Sequence, residues 1–268
     1  MIHPSSVVDP SAKLGARVHI GPFCMVGPGA ILHDGVDLVS HVVIDGRTTI
    51  GTGTKIYPFA TVGLAPQDLK YQGEDTETII GPHCVIREHG SIHRGTVTGT
   101  GVTRIGAGCL LMAVVHVAHD CTLGDGVVIA NNVVMGGHVD IAAHAIIGGA
   151  TAIHQFVRIG TGAMVGGASG VEADVIPYGS VIGNRARLHG LNMIGLRRRG
   201  LDKPALHRLR TAYKTLFQCD GTFADRVEQV RATAEGDPYL TEILAFIDTP
   251  SKRGLIRTAT RHGDDAEG

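Results

Sequence analysis

Counting in sixes from Ile2 meets Ile2, Val8, Leu14, Ile20, Val26, Leu32, Leu38, Ile44, Ile50, Ile56 and Val62, all aliphatic. The count resumes at Ile80, Ile86 and Ile92. It runs again from Ile105 through Leu111, Val117, Leu123, Ile129, Met135, Ile141, Ile147, Ile153, Ile159 and Val165 to Val171. Four residues after each rung stands a small or β-branched residue, such as Ala12, Cys24, Ala30, Cys109, Cys121 or Val133. A helix repeats near 3.6 residues and a plain strand at 2, so a period of six is neither. It is the hexapeptide signature of a parallel β-solenoid, in which three hexads close one triangular coil of 18 residues. The aliphatic residue of each hexad points inward, the small residue fits near the corner, and the frequent Gly after the rung relieves the turn.

Two segments break the count. Residues 64–79, "LAPQDLKYQGEDTETI", form a polar insertion, and residues 96–103, "TVTGTGVT", form a shorter one that shifts the phase. Loops thrown out of a rigid scaffold commonly carry function. The pattern fades after Ile182, which places a solenoid domain over residues 1–185 and a helical domain over 186–268. In the second, Asp202 is positioned as a cap and Pro204 in a first turn. Leu206, Leu209, Tyr213 and Leu216 then follow helical spacing. "TFADRVEQVRATAEG" and "PYLTEILAFIDT" predict two more helices, which would cap the open end of the coil stack. The polar tail from Arg261 to Gly268 is expected to fray.

Composition agrees with a thin, repetitive core: aromatic residues are 4% of the 268, Trp is absent and Gly numbers 38. A net charge of −1 gives no reason to expect nucleic acid or an anionic membrane surface as a partner. No apolar run approaches the ~18 residues of a membrane span. The N-terminus lacks the basic and apolar regions of a secretory signal. Five scattered Cys without a CxxC pair fit a reducing cytoplasm.

The repeat gives each reactive residue an address. In "HVAHDC", residues 116–121, Cys121 takes the small inward position, as do Cys24, Cys84 and Cys109, which makes them core residues rather than nucleophiles. The histidines of the regular hexads fall on the outer surface or at corners. Val117, Met135 and Ile153 are 18 apart, so His93, His119, His138 and His154 are expected to stack along one flank, about one strand spacing of ~4.8 Å between neighbours. His116 is expected at a corner, Gln155 follows His154, and the "QDLKY" loop leaves the coil near this stack. Such a flank could be a polar subunit interface, a metal site or a catalytic site. Three histidines can hold Zn²⁺ with an open position for water, but His119, His138 and His154 sit third, fourth and second in their hexads, a scatter that disfavours convergence on one ion. General-base chemistry remains: a neutral imidazole takes a proton from a hydroxyl attacking an activated carbonyl. The backbone N–H of Gly137, one coil above His119, is placed to meet the oxyanion.

These residues lie in motifs that resemble those of the acyl-[acyl-carrier-protein]–UDP-N-acetylglucosamine O-acyltransferases, which open lipid A synthesis. The motifs are "SHVVIDG", "PQDLKY", "IHRGT", "LLMAVVHVAHDC", "AIIGG", "AIHQFVRIG", "MVGGASGV", "GLNMIGLRRRG" and "RGLIR", and they span nearly the whole chain. The resemblance implies a left-handed parallel β-helix, against the usual right-handed crossover, and a homotrimer with sites between neighbouring coils. It implies transfer of a 3-hydroxyacyl group from acyl carrier protein to the 3-position of the UDP-sugar, with no cofactor. His119 would be the base, with Asp120 its possible partner. Gln67, Asp68 and Lys70 would hold sugar and chain, and His93, His116, His138, His154 and Gln155 would line the cleft. Asn192 and Arg198 would contact the uridine diphosphate, where an Arg fork can grip phosphate. Gly167 would leave room for a longer acyl chain. Ile194 departs from the acidic residue that such proteins carry there. Arg197, Arg198, Arg199, Lys203, Arg208, Arg210 and Lys214 could dock the acidic carrier.

Overall fold

Two-residue strands alternate with four-residue corners along most of the chain, as six-residue bookends of one inward rung each require. The computed structural model describes residues 1–258; the predicted frayed tail from Arg261 lies outside them. The strands form three faces. The first face holds nine, from Val7–Val8 to Gly170–Val171; the second holds eight, from Lys13–Leu14 to Arg158–Ile159. The third holds ten, from His19–Ile20 to Gly179–Ile182, and ends with Arg187–Leu191. The pairings within the coils are parallel and, where no loop intervenes, in register at 18 residues, as for Val117 with Met135 and Met135 with Ile153; the last on the third face, Met164 with Ser180 and Val165 with Val181, is at 16. Arg187–Leu191 alone runs antiparallel, against Gly179–Ile182. The architecture is the left-handed parallel β-helix that the motifs imply.

From Ile20 on the predicted rungs are the core, while Ile2 on the open first coil is 47% exposed. Ile20, Leu32, Ile56, Ile92, Leu111, Leu123 and Ile147 are all 0–1% exposed, and burying such a side chain contributes about 1.5–3 kcal/mol. Cys24, Cys84, Cys109 and Cys121 are buried beside them. One expectation changes its reason. The glycine after a rung does not relieve the turn; it lets one coil approach the next. A Cβ on Gly124 would stand 2.6 Å from the Ala143 nitrogen. The left-handed backbone of the corner falls two residues later and is carried by side-chain residues as often as by glycine, including Asp120 (φ 59°), His138 (φ 61°) and Phe156 (φ 66°).

After the last strand come four helices among the described residues: α1 (Met193–Arg198), α2 (Lys203–Gln218), α3 (Phe223–Arg231) and α4 (Pro238–Asp248). Asp202 caps α2 by accepting from the Ala205 N–H at 2.7 Å, and Leu206, Leu209, Tyr213 and Leu216 form its buried stripe. The helices close the C-terminal end of the coil stack. The Tyr178 hydroxyl bonds the Glu242 carboxylate, and the Arg158 guanidinium lies 4.5 Å from the Phe246 ring centre. The chain then turns back. Leu255 bridges to Asp174 and Thr258 to Leu188, which returns residues 251–258 to the coils as a strap.

Candidate active site

Both insertions leave the solenoid at the corner between the first and second faces. The longer connects Thr61–Leu64 to Glu77–Ile80, and the shorter connects Ser91–His93 to Val102–Ile105. "HVAHDC" turns the same corner one coil later. The loops and the histidines therefore share an edge, and the packing there explains each.

Asp120 is the centre. Its side chain is fully buried and collects donors from the shorter insertion. The Thr96 hydroxyl (2.6 Å) and N–H (3.1 Å) bond it, as do the N–H groups of Thr100 (3.0 Å) and Gly101 (3.1 Å). The Thr103 hydroxyl fixes its backbone at 2.8 Å. Burial alone would raise the carboxyl pKa, but the bonds from Thr96 and His119, with the nearby His138 ring, hold it below the usual value. His119 Nδ1 stands 2.8 Å from Asp120 Oδ2. Adjacent strand residues would point apart; the left-handed backbone at Asp120 bends its side chain round to the neighbouring ring. An ionised carboxylate only accepts, so Nδ1 of His119 donates and Nε2 is left with a lone pair. The His119 ring lies against the α-carbon of Gly137, where a Cβ would stand 2.5 Å from Cε1. Glycine at 137 is the room in which the imidazole sits.

The four histidines do not form one stack. His119, Gly137 and Gln155 make one column, Asp120, His138 and Phe156 the next, and His154 stands above Gly136. This follows from their unequal hexad offsets. His138 meets His119 edge-on at 5.1 Å and stacks flat on Phe156 at 4.5 Å, so Phe156 takes the place expected of His154. Burial, outweighing the attraction of Asp120, lowers the His138 pKa. His116 is on a strand, not at a corner, with Nδ1 2.8 Å from the Ser91 hydroxyl. His93 is not at the surface but 6% exposed, edge-on to His116 at 4.8 Å. Burial and the neighbouring His116 and His119 push its pKa down to about 4.

In the longer loop, Asp68 accepts from the Lys70 N–H at 3.0 Å, and Gln67 and Lys70 are exposed. Arg94 anchors the loop: its Nε donates to the Tyr71 hydroxyl at 2.8 Å and its Nη1 to the Gly63 carbonyl at 3.1 Å. The Cys121 thiol is pushed up to about 12 by burial, which removes a nucleophilic cysteine from this corner. His119, Asp120 and His138 offer three ligand atoms within 4.8 Å of one another. Asp120 already spends both oxygens on protein donors, so the trio fits a proton acceptor better than a cation.

The remaining predicted residues lie elsewhere on the chain. Asn192 and Arg198 line a cleft of about 780 Å³ over the third face, with Ile146, Met164 and Ile194. Asn192 caps α1, accepting from Gly195 N–H at 2.9 Å and donating to the Gly162 carbonyl at 3.0 Å. Gly167 is exposed at the corner between the third and first faces.

Residues 174–256 match the family model described as UDP N-acetylglucosamine O-acyltransferase, domain 2, and residues 102–137 match the bacterial transferase hexapeptide model. The acyl-[acyl-carrier-protein]–UDP-N-acetylglucosamine O-acyltransferase of Azorhizobium caulinodans is 47% identical over 255 residues, covering 95% of this chain and 94% of that protein. That of Rhizobium johnstonii is 44% identical over 254 residues, 95% and 93% of the two. The chain belongs to this acyltransferase family. Solved structures agree. The UDP-N-acetylglucosamine O-acyltransferase of Moraxella catarrhalis superposes with a TM-score of 0.93 at 44% identity, over 96% of this chain and 99% of that one. The Acinetobacter baumannii protein gives 0.91 at 43%, over 96% and 99%. For an acyltransferase of this family, the notable additions to the sequence-predicted residues are Thr96, Thr100, Gly101, Phe156 and Arg94. The threonine-rich insertion one coil below Asp120 was the available signal for the first three.

Proposed function

We infer that the chain moves a 3-hydroxyacyl group from acyl carrier protein to the 3-hydroxyl of UDP-N-acetylglucosamine, with the His119–Asp120 pair as proton acceptor. The observation that carries this is the 2.8 Å bond from His119 Nδ1 to a buried carboxylate held by four donors of an inserted loop. Asp120 fixes the tautomer that leaves Nε2 free. Nε2 takes the sugar hydroxyl proton as the oxygen attacks the thioester carbonyl. The tetrahedral oxyanion is met by the Gly137 N–H. As the intermediate collapses, the imidazolium returns the proton to the departing carrier thiol, and Asp120 offsets the transient charge. His93, His116, His138, His154 and Gln155 line the path, with Gln67, Asp68 and Lys70 reaching from the loop.

Asn192, Arg198 and Gly167 belong to the same reaction through assembly. They lie on faces of one chain that do not meet the His119 corner. A homotrimer would bring the third-face cleft of one copy to the His119 corner of the next. The diphosphate would meet Arg198 and the acyl tail the space above Gly167. Lys203, Arg210 and Lys214 along α2 have no salt bridge among the described residues, which suits docking of an acidic carrier, whereas Arg208 is engaged by Asp237 at 2.6 Å. No described helix is long and apolar enough to cross a membrane, and a cytoplasmic site of action fits a carrier-borne donor.

The test is acyl transfer from 3-hydroxyacyl carrier protein to UDP-N-acetylglucosamine by the wild type and by His119→Ala. The expected loss in kcat is about 10²–10⁴-fold. Full turnover in the variant would reject His119 as the base. Activity abolished by chelators would point to the metal trio instead.

A further inference from the structure

The coil ladder of the histidine corner ends in a cluster of arginines. Val117, Met135, Ile153 and Val171 pair in succession, so Glu172 and Ala173 follow one coil above His154 and Gln155. They stand about three strand spacings, roughly 14 Å, along the stack from His119. Here the strap that returns after α4 forms a groove of about 490 Å³ with residues 185–187. Arg185, Arg187, Arg253 and Arg257 line it, against the single carboxylate of Glu172. That carboxylate is 3.9 Å from Arg185 Nε, and both side chains are more than half exposed, so the pair offsets little charge. Arg187, Arg253 and Arg257 have no salt bridge among the described residues.

Backbone bonds fix the walls of the groove. The Ala186 N–H donates to the Gly170 carbonyl at 2.8 Å, the Leu188 N–H to the Arg257 carbonyl at 2.9 Å and the Ile256 N–H to the Asp174 carbonyl at 2.9 Å. Ala186 and Ile256 are buried between them. Arg253 is tied inwards, its Nε donating to the Gln155 carbonyl at 2.8 Å, and this contact joins the groove to the upper end of the histidine corner. Like charges gathered on so rigid a frame repel one another, and an anion among them relieves the cost. Guanidinium forks pair with phosphate oxygens in bidentate fashion.

We propose that this groove binds the phosphodiester of the acyl donor's phosphopantetheine arm. The inference rests on the carrier-borne donor of the acyltransferase reading. A carrier protein presents its thioester at one end of that arm and the phosphodiester at the other. The arm's backbone from phosphorus to sulfur matches that of about four residues, roughly 14 Å when extended. With the thioester at His119, the phosphodiester therefore falls at the level of the groove, and the arm between them passes His154 and Gln155. Capture of the phosphodiester would set how deeply the arm enters the corner.

The experiment is equilibrium binding to the full chain, without UDP-sugar, of two probes: a 3-hydroxyacyl-phosphopantetheine and the same thioester of pantetheine, which lacks the phosphate. The wild type is expected to bind the phosphorylated probe about tenfold or more tightly than the other, with the advantage shrinking as salt rises. Arg187→Gln and Arg257→Gln together should bring the two affinities within roughly twofold and leave that for the pantetheine thioester unchanged. Both side chains are exposed, so the melting temperature should hold. Equal affinities in the wild type overturn the proposal, whether or not the variant folds. A phosphate advantage that survives in the folded double variant overturns it too, even if acyl transfer from the intact carrier falls, since the arginines would then meet the carrier's own carboxylates. Binding is read without turnover, so failure of this site and failure of acyl transfer are seen separately.

Discussion

At the corner between the third and first faces, Phe23, His41, Phe59 and His89 stack with ring centres 4.9, 4.9 and 5.1 Å apart. At the corner between the first and second faces, His138 lies flat on Phe156 at 4.5 Å and 5°, whereas the Phe23–His41 and His41–Phe59 pairs are tilted by 37° and 33°. Both columns occupy the left-handed corner position of successive coils. The first is exposed, and its imidazoles have no salt bridge among the described residues; those that do belong to His19, His119 and His138. The second begins with Asp120 instead of an aromatic residue, and two inserted loops leave the same corner on the coils below it. A stacked histidine column is thus a product of the 18-residue repeat and is chemically neutral by itself. A buried carboxylate, and a loop that supplies its hydrogen bonds, convert one corner into a proton-transfer site.

Asp120→Asn is the sharpest way to break that difference. The amide nitrogen cannot accept the bonds that the carboxylate oxygens accept, and it no longer dictates the His119 tautomer. A loss in kcat on the order of 10²-fold or more is expected, by analogy with the tautomer-orienting acid of other histidine bases. Stability should report the same residue. The folded pKa of Asp120 lies below its unfolded value, so its contribution is present above about pH 4 and is lost as the pH falls through the folded value. Denaturant midpoints of the wild type should therefore decline in acid, and those of Asp120→Asn should decline less steeply. Parallel curves would separate Asp120 from the acid limb.

Gly137→Ala sharpens the geometric half. The new Cβ would stand 2.5 Å from the His119 ring, so the imidazole must move. A misplacement of about 1 Å can cost up to roughly 10²-fold, and the fall should appear in kcat, with the melting temperature changing little because the ring is 14% exposed and can swing outwards. A variant that retains full kcat would show that the ring position is not set by Gly137.

The architecture was legible because the period of six states the burial of every rung from Ile20 on. Val117, Met135 and Ile153 fall in register as counted, and Cys24, Cys84, Cys109 and Cys121 fall in the core. The relation of neighbouring side chains at a corner was not legible, because it depends on the left-handed backbone at Asp120, His138 and Phe156, and no periodicity encodes φ. Matching the rungs by 18 put the four histidines on one flank, but their unequal offsets within the hexads place Phe156, not His154, above His138. The contacts of Thr96, Thr100 and Gly101 with Asp120 join residues from adjacent coils through a loop outside the repeat, so the phase that located everything else was silent about them. Arg253 is 98 residues from Gln155, and its return to the coils depends on how four helices fold back.

His93 offers a smaller effect. Its imidazole is buried with Nδ1 unpartnered among the described residues, and its pKa is pushed down to about 4. The unfolded chain takes up the proton near pH 6.5 and the folded chain only near 4. Between those values the unfolded state binds more protons, so stability falls as the pH drops through this window. His93→Phe should flatten that limb, shifting the denaturant midpoint at pH 5 relative to pH 8 less than in the wild type. An unchanged pH dependence would assign the limb to other groups.

The smallest effect belongs to the contrasting column. His41→Ala and His89→Ala remove imidazoles from an aromatic column that, among the described residues, has no salt bridge to a carboxylate and no inserted loop at its corner. Such exposed positions contribute within about 0.5 kcal/mol, so kcat should stay within roughly twofold of the wild type. The measurement is the same acyl-transfer assay, run beside His138→Ala. If loss of His41 or His89 lowered kcat as much as loss of His138, stacking itself would be the catalytic feature, and the distinction drawn from Asp120 would fail. If only His138→Ala is impaired, position beside the buried carboxylate is what matters, and the aromatic column at the other corner is scaffold.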